Sequence, residues 1–164
     1  MILSIFTLGL SFIAHELSHR IVAVHFGYTA EFRAFYLGLA LSIMFTMYFG
    51  LLFAAPGGVI MKEAVGMEVG LIAAAGPIAN LLLSGFSIML LAIPQLYTIG
   101  FLGLLINTSL AFFNLLPIGP LDGHQVAKHN PKLWAFLFII SLVMFVWSIF
   151  FMISAQNPFW GIMS

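Results

Sequence analysis

From residue 69 to residue 121 the chain carries no Asp, Glu, Lys, Arg or His, and residues 1–14, 34–61 and 133–164 are equally free of them. A helix needs about 20 apolar residues to cross the hydrocarbon of a bilayer, and only helices and closed barrels satisfy their backbone groups there. Stretches of this length therefore predict an all-α integral membrane protein. Composition agrees: 63% of the 164 residues are hydrophobic and 6% are charged, where soluble domains hold about 25% charged residues. Five Lys plus Arg balance five Asp plus Glu, so no basic surface is available for a phosphate backbone, and nucleic acid is excluded as a partner. Cysteine is absent, which removes disulfides, Cys-based zinc sites and thiol nucleophiles.

The first silent stretch is too short to span alone, but it runs without a helix breaker through His15, Glu16, His19 and Arg20, so one helix is expected over residues 3–26 with Gly27 as its stop. Pro94 and Gln95 mark a turn that divides the long central stretch into two spans, and a further span covers residues 133–154. Residues 35–54 are long enough to cross once, yet they contain Gly38 and Gly50 and lead into Ala55-Pro56-Gly57-Gly58. If this segment crosses, Arg20 and Arg33 face one side while Lys62, Lys128 and Lys132 face the other. If it enters and returns, all five cations share one side, as the preference of cationic loops for the cytoplasm requires. The expected architecture is thus a polytopic helical bundle of four full spans plus one re-entrant or hairpin segment, with five or six spans as the alternative. Both termini then lie outside, and the charged loops are cytoplasmic.

His15 and His19 stand four residues apart and share a helical face, about 5–6 Å between Cβ atoms, close enough to bind one metal ion. In zinc hydrolases with this spacing the histidines hold Zn²⁺ and the intervening glutamate, here Glu16, takes a proton from the water that the ion activates. The plainer account is a polar helix end among lipid headgroups with Arg20 snorkelling outward. It fits less well, because residues 15–19 fall just past the middle of the expected helix, where such groups need a partner or an ion. A tetrahedral zinc still lacks one protein ligand. Asp122 is the only aspartate of the chain and follows Pro117, Gly119 and Pro120, which forbid a regular helix and predict extended backbone lining a buried or wet cavity.

Taken together, HELSH (residues 15–19), AGPIAN (75–80) and NLLPIGPLDG (114–123) resemble the site-2 protease family of intramembrane zinc metalloproteases. Length leaves room for a single membrane domain over residues 1–164 without a PDZ or other soluble module, and the resemblance implies that it is a membrane-embedded protease holding one Zn²⁺ per chain. His15, His19 and Asp122 would be the ligands, Glu16 the general base, and Asn114 a neighbour that helps hold the substrate carbonyl or its oxyanion. Gly76, Pro77 and Asn80 match a motif for close helix packing. Residues 55–62 (APGGVIMK) match a strand-like segment in which Pro56, Gly57, Gly58, Val59 and Ile60 pair with an unwound substrate. The implied partners are transmembrane helices of membrane protein substrates within the lipid bilayer, cleaved at a site toward the cytoplasmic face of the cell membrane. Zinc ligands must share one depth, and the returning arrangement of residues 35–54 brings Asp122 to the depth of His15 and His19.

His124 is an alternative ligand or a neighbour of the site, with a cytoplasm-facing polar residue the plainer reading. His25 and His129 are assigned to the interface, Glu63 and Glu68 to a solvated loop, and Tyr97, Trp134 and Trp160 to the membrane boundaries. The small residues Ala73, Ala74, Ala75 and Gly76 suit tight helix contact. A rival class is a zinc transporter in which the same residues form a transit site, and a second is a non-catalytic membrane scaffold. A transporter has no need of a glutamate kept off the metal.

Overall fold

The computed structural model describes residues 2–28, 30–34, 57–61 and 66–155. Five helices and one pair of short strands make up these parts: α1 (Ile2–His25), β1 (Ala30–Ala34), β2 (Gly57–Met61), α2 (Met67–Leu91), α3 (Tyr97–Asn114), α4 (Asp122–His129) and α5 (Pro131–Ala155).

Helix α1 stops where the sequence puts a glycine. Gly27 adopts φ 83°, its N–H donates to Val24 O at 2.9 Å, and the N–H of Tyr28 reaches back to Ala23 O at 3.0 Å. That pair of bonds is a Schellman cap, which needs a left-handed residue at this position. Beyond it, β1 and β2 pair antiparallel with Ala30 opposite Met61 and Ala34 opposite Gly57. Residues 35–54, together with Ala55, Pro56 and Lys62, lie outside the described residues, as do Glu63 and Trp160.

Helix α2 is the centre of the bundle and packs against α1, α3 and α4. Its small residues make this possible, since Ala73, Ala74, Ala75 and Gly76 are all buried. A short 3-10 turn at Pro94–Leu96 reverses the chain, so α3 runs back antiparallel along α2. The two helices approach closely at two glycines: a Cβ on Gly100 would stand 2.8 Å from Ser87 O, and one on Gly103 would stand 2.5 Å from Ser87 Oγ. Apolar attraction between helices is weak in lipid, so this backbone proximity carries the packing. Buried hydroxyls add to it, as where Thr108 of α3 meets Ser148 of α5 at 3.0 Å.

The outer surface is apolar. Helix α5 exposes Phe136, Ile139, Val143, Val146, Phe150 and Ile153, and α1 exposes Phe6, Leu10, Ile13, Leu17, Ile21 and Val24. Patches of this extent require a nonaqueous neighbour. Three helical segments, Met67–Leu91, Pro94–Asn114 and Pro131–Ser154, are long and apolar enough to cross a membrane, so the chain is a membrane protein by length and composition. Helix α1 matches them in length but is interrupted by His15, Glu16, His19 and Arg20.

The backbone after α3 differs from the expectation. Extended chain was expected through Asp122, but residues 115–121 form a run of turns and bends, and a short helix, α4, starts at Asp122 itself. Pro117 and Pro120 end α3 because neither offers an N–H. Past Pro120 nothing opposes a helix, and a carboxylate in its first turn favours one.

Candidate metal centre

Helix α1 sets His15 and His19 one turn apart on its inward face, both buried, at 3% and 4% exposure. Their rings stand nearly perpendicular, 4.7 Å between centroids, with the two Nε2 atoms 3.1 Å apart. Asp122, arriving on the first turn of α4, closes the group. Its Oδ2 lies 3.1 Å from His15 Nε2 and 3.3 Å from His19 Nε2. Among the described residues these three side chains are the ones that converge as metal donors. Donors held about 2.0–2.2 Å from a tetrahedral zinc lie about 3.3 Å from each other, so the observed separations are those of three ligands on one ion.

The opposite ring nitrogens are engaged elsewhere. His15 Nδ1 donates to Asn80 Oδ1 at 2.5 Å, and His19 Nδ1 donates to the carbonyl of Ile72 at 2.7 Å. Both Nε2 atoms are then left with lone pairs, and these face Asp122 Oδ2. Three electron-rich atoms this close repel one another unless a cation sits among them, which is the arrangement that holds ligands ready for a metal. Both partners come from α2, where Pro77 leaves the carbonyl of Ala73 without its helical donor. Between Ile72 and Asn80 lies Gly76. A Cβ there would press on His19 Nε2 and stand 2.6 Å from His15 Nε2, so only glycine leaves room for the donors and an ion.

Asp122 is fixed by backbone contact. A Cβ on Gly123 would overlap the carbonyl of Leu115 and stand 2.5 Å from Leu116 O, so α4 rests directly on the turn that ends α3. The same Leu115 O accepts from Trp134 Nε1 of α5 at 2.9 Å. Trp134, assigned from sequence to the membrane boundary, thus braces the Asp122 turn. Glu16 follows His15 on α1, and its Oε2 is buried with no hydrogen-bond partner among the described residues. A carboxylate oxygen left unpaired beside a metal site is available to a water proton.

The other expected residues are placed as follows. Asn114 is buried at the end of α3, and its Nδ2 donates to Leu110 O at 2.9 Å. Gly57, Gly58, Val59 and Ile60 lie in β2, opposite Ala34, Arg33, Phe32 and Glu31. His124 is exposed and stays outside the donor group. Glu68 sits in the first turn of α2 and accepts a hydrogen bond from the Tyr28 hydroxyl, tying the end of α1 to the start of α2 where a solvated loop was expected. The sequence reading gave Asn80 a packing role and passed over Asn107. An amide inside an uncharged, membrane-length stretch was the available signal, because such a group must find an internal partner.

No family model matches the chain, and no solved structure matches it. Over 140 residues it is 47% identical to a protein of Methanocaldococcus jannaschii named "Putative zinc metalloprotease MJ0611", an alignment that covers 82% of this chain and 73% of that protein. By this identity and coverage, with a zinc-compatible donor set in place, the chain belongs to the same zinc metalloprotease family as the archaeal protein.

Proposed function

We propose that the protein is an intramembrane zinc endopeptidase of the site-2 type that cleaves transmembrane segments of membrane protein substrates. The observation that carries this reading is the convergence of His15, His19 and Asp122 beside Glu16, whose Oε2 has no hydrogen-bond partner among the described residues, inside a bundle whose outer faces suit lipid. His15, His19 and Asp122 would hold the zinc, which would supply Lewis-acid polarisation for the scissile carbonyl and the attacking water. Glu16 takes the proton from that water and returns it to the leaving amine. Asn114, whose Nδ2 donates one hydrogen to Leu110 O, has a second amide hydrogen to offer the substrate carbonyl or its oxyanion. A substrate helix shields its peptide bonds with its own hydrogen bonds and must unwind first. The β1–β2 pair offers replacement partners by strand addition along Gly57, Gly58, Val59 and Ile60.

In the membrane, α1 is the fourth span, and the active site lies toward the cytoplasmic side of the cell membrane. The register Ala34↔Gly57 supports this, since it sets the two ends of the intervening segment side by side, as a segment that enters and returns requires; such a return would leave all five cations of the chain on one face. The chain has no cysteine, so single cysteines at Ser4 and Lys128 carry the only thiol of each variant. Impermeant maleimide is expected to label them from opposite sides of the membrane; labelling from the same side refutes the topology.

The activity is tested on purified protein with a membrane-spanning peptide. One zinc per chain and cleavage of the peptide are expected. Stripping the metal with 1,10-phenanthroline is expected to slow cleavage by more than about 100-fold, as loss of several kcal/mol of carbonyl polarisation implies, and added zinc restores it. Cleavage that persists in metal-free protein refutes the mechanism.

A further inference from the structure

We propose that Asn107 of α3 is a positioning residue of the metal centre, acting through Asn80 to fix which nitrogen of His15 carries the proton. Both amides are buried, Asn80 completely and Asn107 at 3% exposure. They form a chain of fixed polarity. The carbonyl of Gly103 can only accept, and Asn107 Nδ2 donates to it at 2.8 Å. Asn107 is thereby turned so that its Oδ1 faces α2, where it accepts from Asn80 Nδ2 at 2.9 Å. Asn80 Nδ2 also lies 3.4 Å from the carbonyl of Ser11, another pure acceptor, so two independent acceptors hold the same end of that amide. The opposite end, Oδ1, is then the one presented to His15 Nδ1, at 2.5 Å. An amide oxygen accepts, so His15 must protonate on Nδ1 and keep its Nε2 lone pair for the ion.

Without Asn107, Asn80 loses its nearer acceptor and retains only the longer contact to Ser11. Rotation of the Asn80 side-chain amide would then aim an N–H at His15 Nδ1 and favour the tautomer whose Nε2 bears hydrogen and cannot bind metal. The relay reaches from a backbone carbonyl of α3 to a ligand on α1, so the α2–α3 packing registers directly in metal affinity. It also explains a pair of buried amides in a stretch without charged side chains, where each buried polar group must be satisfied.

This inference rests on the metal site proposed above, and the zinc affinity of the parent protein separates the two. The test is the zinc dissociation constant, read by competition with a chromophoric chelator, together with the visible spectrum of the cobalt-substituted protein. Asn107→Leu is expected to weaken zinc binding about 10- to 100-fold, the usual consequence of losing a group that orients a ligand, and to alter the cobalt bands. Asn107→Asp keeps an acceptor for Asn80 and, when protonated, a donor for Gly103, so it is expected to stay within about threefold of the parent by the same reasoning. Thr108→Val removes a buried hydrogen bond one residue along α3 and is expected to lower thermal stability while leaving affinity and spectrum unchanged. Should Asn107→Leu not fold, Asn107→Ser, too short to reach Asn80, carries the same expectation. Folded Asn107→Leu or Asn107→Ser protein that binds zinc like the parent overturns the relay. So does a Thr108→Val variant that loses affinity to the same degree, which would reduce Asn107 to a packing role. A parent protein that binds no zinc overturns the metal site itself.

Discussion

Gly76→Ala is expected to abolish zinc binding while leaving the bundle folded. The added methyl would press on His19 Nε2 and stand 2.6 Å from His15 Nε2 and 2.7 Å from His15 Cε1. Those are the atoms that face the ion, so the imidazoles must turn away and give up their spacing. Two effects on the fold oppose each other. Alanine is favoured over glycine within a helix by about 1 kcal/mol, whereas overpacking a tight site costs about 1–3 kcal/mol. The net loss is modest for a bundle held along its whole length. Zinc affinity, by contrast, should fall by more than the roughly 10- to 100-fold that follows loss of one orienting partner, since both histidine ligands are displaced together. Metal analysis with a thermal melt decides it: a variant that melts near the parent and retains stoichiometric zinc contradicts the geometry of the centre.

Glu16→Gln is expected to do the reverse. The substitution preserves shape and leaves His15, His19 and Asp122 untouched, so one zinc per chain should remain. It removes the group that moves the proton, and general acid–base catalysis contributes about 10²–10⁴-fold. Cleavage of a membrane-spanning peptide should drop by that order. His15→Ala, which removes a ligand, should lose zinc and cleavage together. Full activity in Glu16→Gln would rule out the proposed role of Glu16, whereas a zinc-loaded parent protein that cleaves no peptide would revive a transport reading, in which zinc passage rather than hydrolysis is measured.

Much of the site was legible because charge is scarce in this chain. His15 and His19 declare themselves by spacing together with their place inside a membrane-length helix, and Asp122 could be singled out because no other aspartate competes. The helix ends were legible where the local chemistry is strong: Gly27 as a stop and Pro94 as a turn are decided within a few residues. The roles of Asn80, Asn107 and Gly76 depend on which helices lie side by side, a matter of tertiary packing that no periodicity reports. Helix α4 escaped notice because two prolines dominate the run before it, and their influence ends at Pro120. Trp134 illustrates the same limit. An aromatic near the end of a span reads as an interface anchor, and only the fold reveals that its indole N–H has a backbone carbonyl to meet.

The position of Glu16 beside the donor group bears on how the chain is assembled in lipid. A divalent ion held by Asp122 with Glu16 nearby would cancel the charge of both carboxylates, whereas without it Asp122 meets only the two imidazoles of the donor group, at 3.1 and 3.3 Å. Unpaired charge in hydrocarbon is penalised by about 2.5–3.5 kcal/mol per side chain on insertion scales. Loading the metal would therefore neutralise the interior of the bundle as well as arm it, so that metal binding and folding in lipid are coupled.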